Sequence, residues 1–114
     1  MDEPSIFTKI IDREIPADIV FEDEWVIAIR DINPQAPIHL LVVPKDPTYT
    51  NVAEVAEADP ALLSHIVSVA KQLAEDHADG QFRLVFNSGA NAGQTVFHVH
   101  AHILAGGLTE GSLA

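Results

Sequence analysis

Three of the six histidines in this chain fall within five residues, His98, Val99, His100, Ala101, His102. Alternation with small apolar residues is the period of a β-strand, so the three imidazoles line one face while Val99, Ala101 and Ile103 line the other. Same-face neighbours on a strand lie about 6 to 7 Å apart, close enough for one substrate group to touch two or three rings. Imidazole suits proton transfer, nucleophilic attack and metal ligation near neutral pH. A fourth ring, His39, interrupts the apolar run Ile38 to Val43. One histidine on an apolar strand reads as structural; three in register with a fourth and a glycine-rich loop directly before them read as a functional centre.

Two chemistries compete for such a row. Two histidines two apart on a strand could chelate a zinc ion, with His39 as a third ligand. A cupin-type site would also want a glutamate a few residues later, and the next acid is Glu110, beyond two glycines. In a metal-free row one ring attacks phosphorus while the others orient it and bind phosphoryl oxygens. The metal-free reading is preferred, with no metal and no cofactor. Asn87 closes the preceding strand and could orient a ring or bond a ligand. The loop Gly89 to Thr95 lacks the lysine of a P-loop, yet its glycines would let backbone N–H groups approach a phosphate beside the histidines. His65 and His77 read as surface or capping residues of a long helix, and Trp25 and Tyr49 as packing residues.

Several elements must position these groups. Ser5 caps a short helix in which Ile6 and Ile10, and Phe7 and Ile11, pair four apart; Pro16 opposes its continuation. Ile19 to Phe21 and Trp25 to Arg30 read as a hairpin across Glu22, Asp23 and Glu24. The Asp31 to Pro37 loop follows, then Ile38 to Val43 as a central strand ended by Pro44 and Pro47. A short helical turn is expected at Val52 to Ala56. Asp59 and Pro60 start a long helix carrying Leu62, Leu63, Ile66, Val67, Ala70, Leu73 and Ala74, which Gly80 closes. Phe82 to Asn87 and Val96 to Leu104 are the last strands, and Gly106, Gly107 and Gly111 suggest a mobile tail unless a partner or ligand orders it. The pattern predicts an α+β fold: a five-stranded antiparallel sheet with one long and one short helix.

The 114 residues suit one domain, with a core at 5–107 and a tail at 108–114. A net charge of −11 argues against nucleic acid or an anionic membrane as partner. No apolar run is long enough for a membrane span, and Asp2 and Glu3 stand where a signal peptide would be basic, so a cytoplasmic location is expected. With no cysteine, disulfides and thiolate zinc sites are excluded.

Together these residues resemble the histidine triad superfamily, whose His-φ-His-φ-His-φ-φ signature (φ being an apolar residue) fits His98 to Leu104. Asp31-Ile32-Asn33-Pro34-Gln35-Ala36-Pro37 with His39 and Leu41-Val42-Val43-Pro44-Lys45, then Val85-Phe86-Asn87-Ser88-Gly89, then Gly93-Gln94-Thr95-Val96, are similar to the nucleotide-binding, purine phosphoramidase branch. Ile6-Phe7, Lys9-Ile10-Ile11 and Glu14-Ile15-Pro16-Ala17 match as well, so the likeness runs over roughly positions 5 to 107.

The resemblance implies a homodimer that joins two five-stranded sheets into ten, with a purine nucleoside monophosphate pocket in each subunit. It implies hydrolysis of adenosine phosphoramidates or acyl-adenylates, with His100 as nucleophile and a covalent nucleotidyl-histidine intermediate. His102 and Asn87 would contact phosphate, and His98 and His39 would form a relay fixing the tautomer of His100. Asp31 would accept from the ribose hydroxyls, and Ile32, Phe7 and Ile27 would hold the base. Gly93, Gln94 and Thr95 would bind the α-phosphate through backbone N–H groups and a hydroxyl. A non-catalytic nucleotide-binding regulatory module and a dinucleoside polyphosphate hydrolase are the alternatives. Thr95 stands where serine is commoner, Pro47 where relatives often carry histidine, and the tail lacks the tryptophan-containing end of some relatives.

Overall fold

The computed structural model describes residues 4–112. Ser5 opens α1 (Ile6–Ile11), its Oγ accepting the Thr8 N–H at 3.0 Å. The helix stops at Asp12, and Arg13 takes the left-handed region at φ 63°. β1 (Ile19–Glu22) and β2 (Val26–Arg30) form the expected hairpin, turned by Asp23, whose Oδ1 accepts from the N–H groups of Trp25 and Val26 at 2.8 Å each. β3 (Ile38–Pro44) follows the Asp31 loop.

The helical turn expected at Val52 to Ala56 is a full helix, α2 (Val52–Ala58), capped by Asn51. The described residues therefore form three α-helices, one long and two short. Asp59 caps α3 (Pro60–His77), and the N–H groups of Ala78 and Gly80, the latter at φ +88°, both close on the Ala74 carbonyl. β4 (Arg83–Val85) and β5 (Ala101–Ala105) complete a five-stranded sheet in the order β1-β2-β3-β5-β4, every pair antiparallel.

Both last strands are shorter than the sequence suggests. β5 begins at Ala101 because its partner runs out of donors: Val42 pairs with Ala101, and Pro44, two residues on, has no N–H. Val99 N–H turns instead to the Tyr49 carbonyl at 3.0 Å. Gly106 and Gly107 turn the chain at positive φ, Arg83 Nη2 donates to the Thr109 carbonyl at 2.7 Å, and a 3-10 turn spans Glu110–Ser112.

The sheet has two unlike faces. Val26, Ala28, Leu40, Val42, Ala101 and Ile103 pack against Val55 of α2 and the buried stripe of α3. That stripe includes Val69 and leaves Val67 largely exposed, reversing the sequence reading of those two positions. On the other face Ile27, Ile29, Leu41 and Val43 lie under Phe7 and Ile10 of α1. Only six residues long, α1 cannot cover the whole of that face, which is where the histidines sit. Among the described residues no helix is long and apolar enough to cross a membrane.

Candidate active site

The rings form a continuous row beneath α1. Phe7 meets His98 and His100 edge-on at centroid distances of 5.9 and 4.8 Å, His100 meets His102 at 5.1 Å, and His102 meets His39 at 5.2 Å. His39 reaches the row from β3, and His102 is the one row histidine inside the β5 ladder.

Hydrogen bonds assign a tautomer to each ring. A carbonyl can only accept, so His100 Nδ1, 2.8 Å from the His98 carbonyl, carries the proton. Its Nε2 keeps the lone pair. His39 Nδ1 accepts the Gln35 N–H at 3.0 Å, so its proton is on Nε2, 3.0 Å from His102 Nδ1. His102 Nδ1 therefore accepts, and its Nε2 is left as an N–H. His98 Nε2–H donates to the Pro44 carbonyl at 2.7 Å, and its Nδ1 accepts from the Ser5 hydroxyl at 2.7 Å. The row thus ends in an Nε2 lone pair on His100 beside an Nε2–H on His102.

Burial favours the neutral form of His98, His100 and His102. Desolvation pushes His98 and His100 below the usual imidazole value, and desolvation with the neighbouring His100 and His39 rings takes His102 down to about 4.

The geometry changes the expected division of labour. His39 does not meet His98; it pairs with His102, with Asp31 Oδ2 3.4 Å from the same His39 Nε2. What fixes His100 is the backbone carbonyl of His98, not an imidazole relay. Asp31 Oδ1 accepts the Asn33 N–H at 2.8 Å.

Gly93 and Gln94 also differ from the reading of the sequence. The loop closes on itself through a 3-10 turn (Ala90–Ala92), in which Gly93 N–H donates to the Ala90 carbonyl at 3.0 Å and Gln94 N–H to the Gly89 carbonyl at 3.1 Å. Neither N–H is left for a phosphate. The buried Gln94 side chain is instead a brace, accepting from Gly89 N–H at 2.8 Å and donating to the carbonyls of Thr50 and Val96 at 2.5 and 3.0 Å. It presents Thr95, exposed at the edge of a cleft of about 820 Å³ shared with Ser5, Thr8, Thr48 and His98. Asn87 is half-buried.

Of the three apolar residues expected around a base, Phe7 packs edge-on against the rings and is itself 6 % exposed, so it offers a base only its rim. Ile27 is only 1 % exposed and forms part of the support beneath α1, without a surface to offer. Ile32 is 95 % exposed beside Asp31. The distant histidine His65 bonds Asp23 Oδ2 at 2.6 Å and meets the half-exposed Trp25 edge-on, tying the hairpin to α3. Sequence reasoning missed the second role of Ser5 and the acceptor carbonyls of Pro44 and His98, because backbone acceptors carry no residue-type signal.

A metal ion was the competing reading. Asp31, His39 and His102 bring ligand atoms within 4.8 Å of one another. A zinc ligand needs a lone pair, and His39 spends its own on Gln35 N–H, so its Nε2 faces the cluster as N–H. As folded, the trio is a hydrogen-bonded chain and does not fit an ion unless that bond is given up.

Sheet, helices and ring row define the class: an antiparallel α+β domain that sets linked histidines on its less covered face. The family model described as scavenger mRNA decapping enzyme C-term binding matches residues 4–112, and the chain belongs to the histidine triad (HIT) family. It is 46 % identical over 110 residues to the purine nucleoside phosphoramidase of Escherichia coli K12, covering 93 % of this chain and 90 % of that one. It is 45 % identical over 108 residues to a 14 kDa zinc-binding protein of Zea mays, covering 92 % and 84 %. A HIT family hydrolase from Clostridium thermocellum superimposes with a TM-score of 0.85 at 48 % identity, covering 93 % of both chains.

Proposed function

We propose that this protein hydrolyses purine nucleoside 5'-phosphoramidates, and related acyl-adenylates, through a nucleotidyl-histidine on His100. The observation that carries the reading is the 2.8 Å bond from His100 Nδ1–H to the His98 carbonyl, which leaves Nε2 as a nucleophile. Nε2 attacks phosphorus, the phosphorus–nitrogen bond breaks, and the leaving nitrogen departs as an amine with a proton passed from water through the Thr95 hydroxyl. The ring becomes cationic, and the His98 carbonyl is already placed to accept from its Nδ1–H. The hydroxide left by that proton transfer attacks phosphorus, the bond to Nε2 breaks with its electron pair returning to the ring, and the nucleoside monophosphate and neutral His100 are released.

His102 Nε2–H donates to a phosphoryl oxygen, its tautomer set by His39. Asn87 is the second phosphate contact. Asp31 Oδ2 accepts from the ribose, and the base lies between Phe7 and Ile32, whose 95 % exposure is what an occupant would cover. Gly93 and Gln94 shape the loop that presents Thr95. No metal or cofactor takes part.

The protein works as a homodimer joined along β4. This reading is supported by the edges of the sheet: β1 carries a bulge between Ile19 and Phe21, while β4 pairs regularly with β5 on one side only.

An adenosine phosphoramidate bearing a fluorescent amine tests the activity. Release by the wild type, lowered at least about a thousandfold in His100→Ala, is expected. Tight nucleotide binding without release would instead favour a binding module.

A further inference from the structure

The N-terminal helix touches the histidine row at two points, and one is a single hydroxyl. Ser5 Oγ accepts the Thr8 N–H at 3.0 Å as the cap of α1, which leaves its own proton to donate to His98 Nδ1 at 2.7 Å. The other nitrogen of His98 is held by the Pro44 carbonyl at 2.7 Å, so the ring is gripped from both ends and is 1 % exposed. The carbonyl of this same residue fixes the proton of His100. Two residues along α1, Phe7 packs against His98 and His100.

We propose that Ser5 is a positioning residue for the reaction: its hydroxyl locks the His98 ring, and through the His98 carbonyl the nucleophilic tautomer of His100, to the seating of α1. The chain of contacts is Thr8 N–H to Ser5 Oγ, Ser5 O–H to His98 Nδ1, and His100 Nδ1–H to the His98 carbonyl. Seating of Phe7 against the base and readiness of the nucleophile are thereby one event. Thr8 Oγ1 lies 3.4 Å from the same His98 Nδ1 and 3.2 Å from Ser5 Oγ, too far from His98 to replace the 2.7 Å bond. The catalytic consequence rests on the function proposed above; the effect on His98 does not.

Ser5→Asp keeps the cap and reverses the bond to His98, from a hydroxyl that donates to a carboxylate that accepts. Aspartate caps a helix as well as serine, so α1 persists, but it has no proton to give His98 at neutral pH. Facing a carboxylate, His98 becomes protonated on both nitrogens. Ser5→Thr keeps the hydroxyl and is the rescue; Ser5→Ala loses both functions. Nitrogen-15 spectra of the imidazoles at neutral pH are expected to show His98 as the neutral Nε2–H form in wild type and Ser5→Thr, and as imidazolium in Ser5→Asp. With an adenosine phosphoramidate, kcat falls about tenfold or more in Ser5→Asp with KM within about threefold, and recovers in Ser5→Thr. An unchanged His98 spectrum in Ser5→Asp overturns the lock whatever the kinetics. A changed spectrum with kcat unaltered overturns its bearing on catalysis. If the wild type cleaves no phosphoramidate, the functional reading fails, and the spectra still decide whether Ser5 sets His98.

Discussion

The two faces of the sheet are covered by helices of very different length. On one, the eighteen residues of α3 cover an apolar cluster built from β2, β3 and β5. On the other, the six residues of α1 cover Ile27, Ile29, Leu41 and Val43, reach His98 and His100 through Phe7 alone, and stop short of His39 and His102. The same strands serve both, because alternate side chains point opposite ways. The long helix supplies stability, and the short one leaves room for chemistry on a face where burial favours the neutral form of His98, His100 and His102.

Mutations on the two faces should therefore fail in different ways. The larger effect on turnover belongs to the α1 side: His102→Ala is expected to lower kcat about a hundredfold or more by removing the phosphoryl donor, with the urea midpoint little changed. The reverse is expected opposite. Leu73, 1 % exposed in the α3 cluster, should cost about 2 to 5 kcal/mol of stability when changed to alanine, with kcat per folded molecule kept. Urea titration and kinetics on each variant check both; a His102→Ala protein that turns over normally, or a Leu73→Ala protein as stable as wild type, would break the division.

A graded effect follows from pH. His100 must be unprotonated at Nε2 to attack, and burial lowers its pKa, so the acid limb of kcat/KM should fall below the ordinary imidazole value of 6.5. Stability carries the opposite face of the same shift. The unfolded chain protonates its histidines near 6.5, whereas native His102 waits until about 4. Between those values the unfolded state binds more protons, so stability should be level above 6.5 and fall as the pH is lowered through that window. Urea midpoints across the window measure it, and His102→Ala should flatten the slope.

Much of this was legible in the sequence. The Asp59-Pro60 start of α3 and the hairpin around Asp23 each have a local cause, and those elements formed as that cause requires; the strand period at His98 to His102 held only from Ala101 on, because Pro44 ends the ladder on the neighbouring strand. What could not be read depended on contacts between distant segments. That His39 meets His102, and not His98, follows from the register that sets Leu41 opposite His102. That Gly93 and Gln94 spend their N–H groups inside the loop depends on how that loop closes. Ile27 and Ile32 looked alike as apolar residues near Asp31, and only the packing of α1 makes one a floor and the other an open wall.

The central claim is that His100 takes the nucleotide onto its ring. Intact-mass analysis of the protein quenched during turnover of an adenosine phosphoramidate, followed by peptide mapping, tests it most directly. One nucleotidyl group on His100, absent in His100→Ala, is the result expected; an adduct on another residue, or none trapped even where its hydrolysis is made rate-limiting, would contradict it.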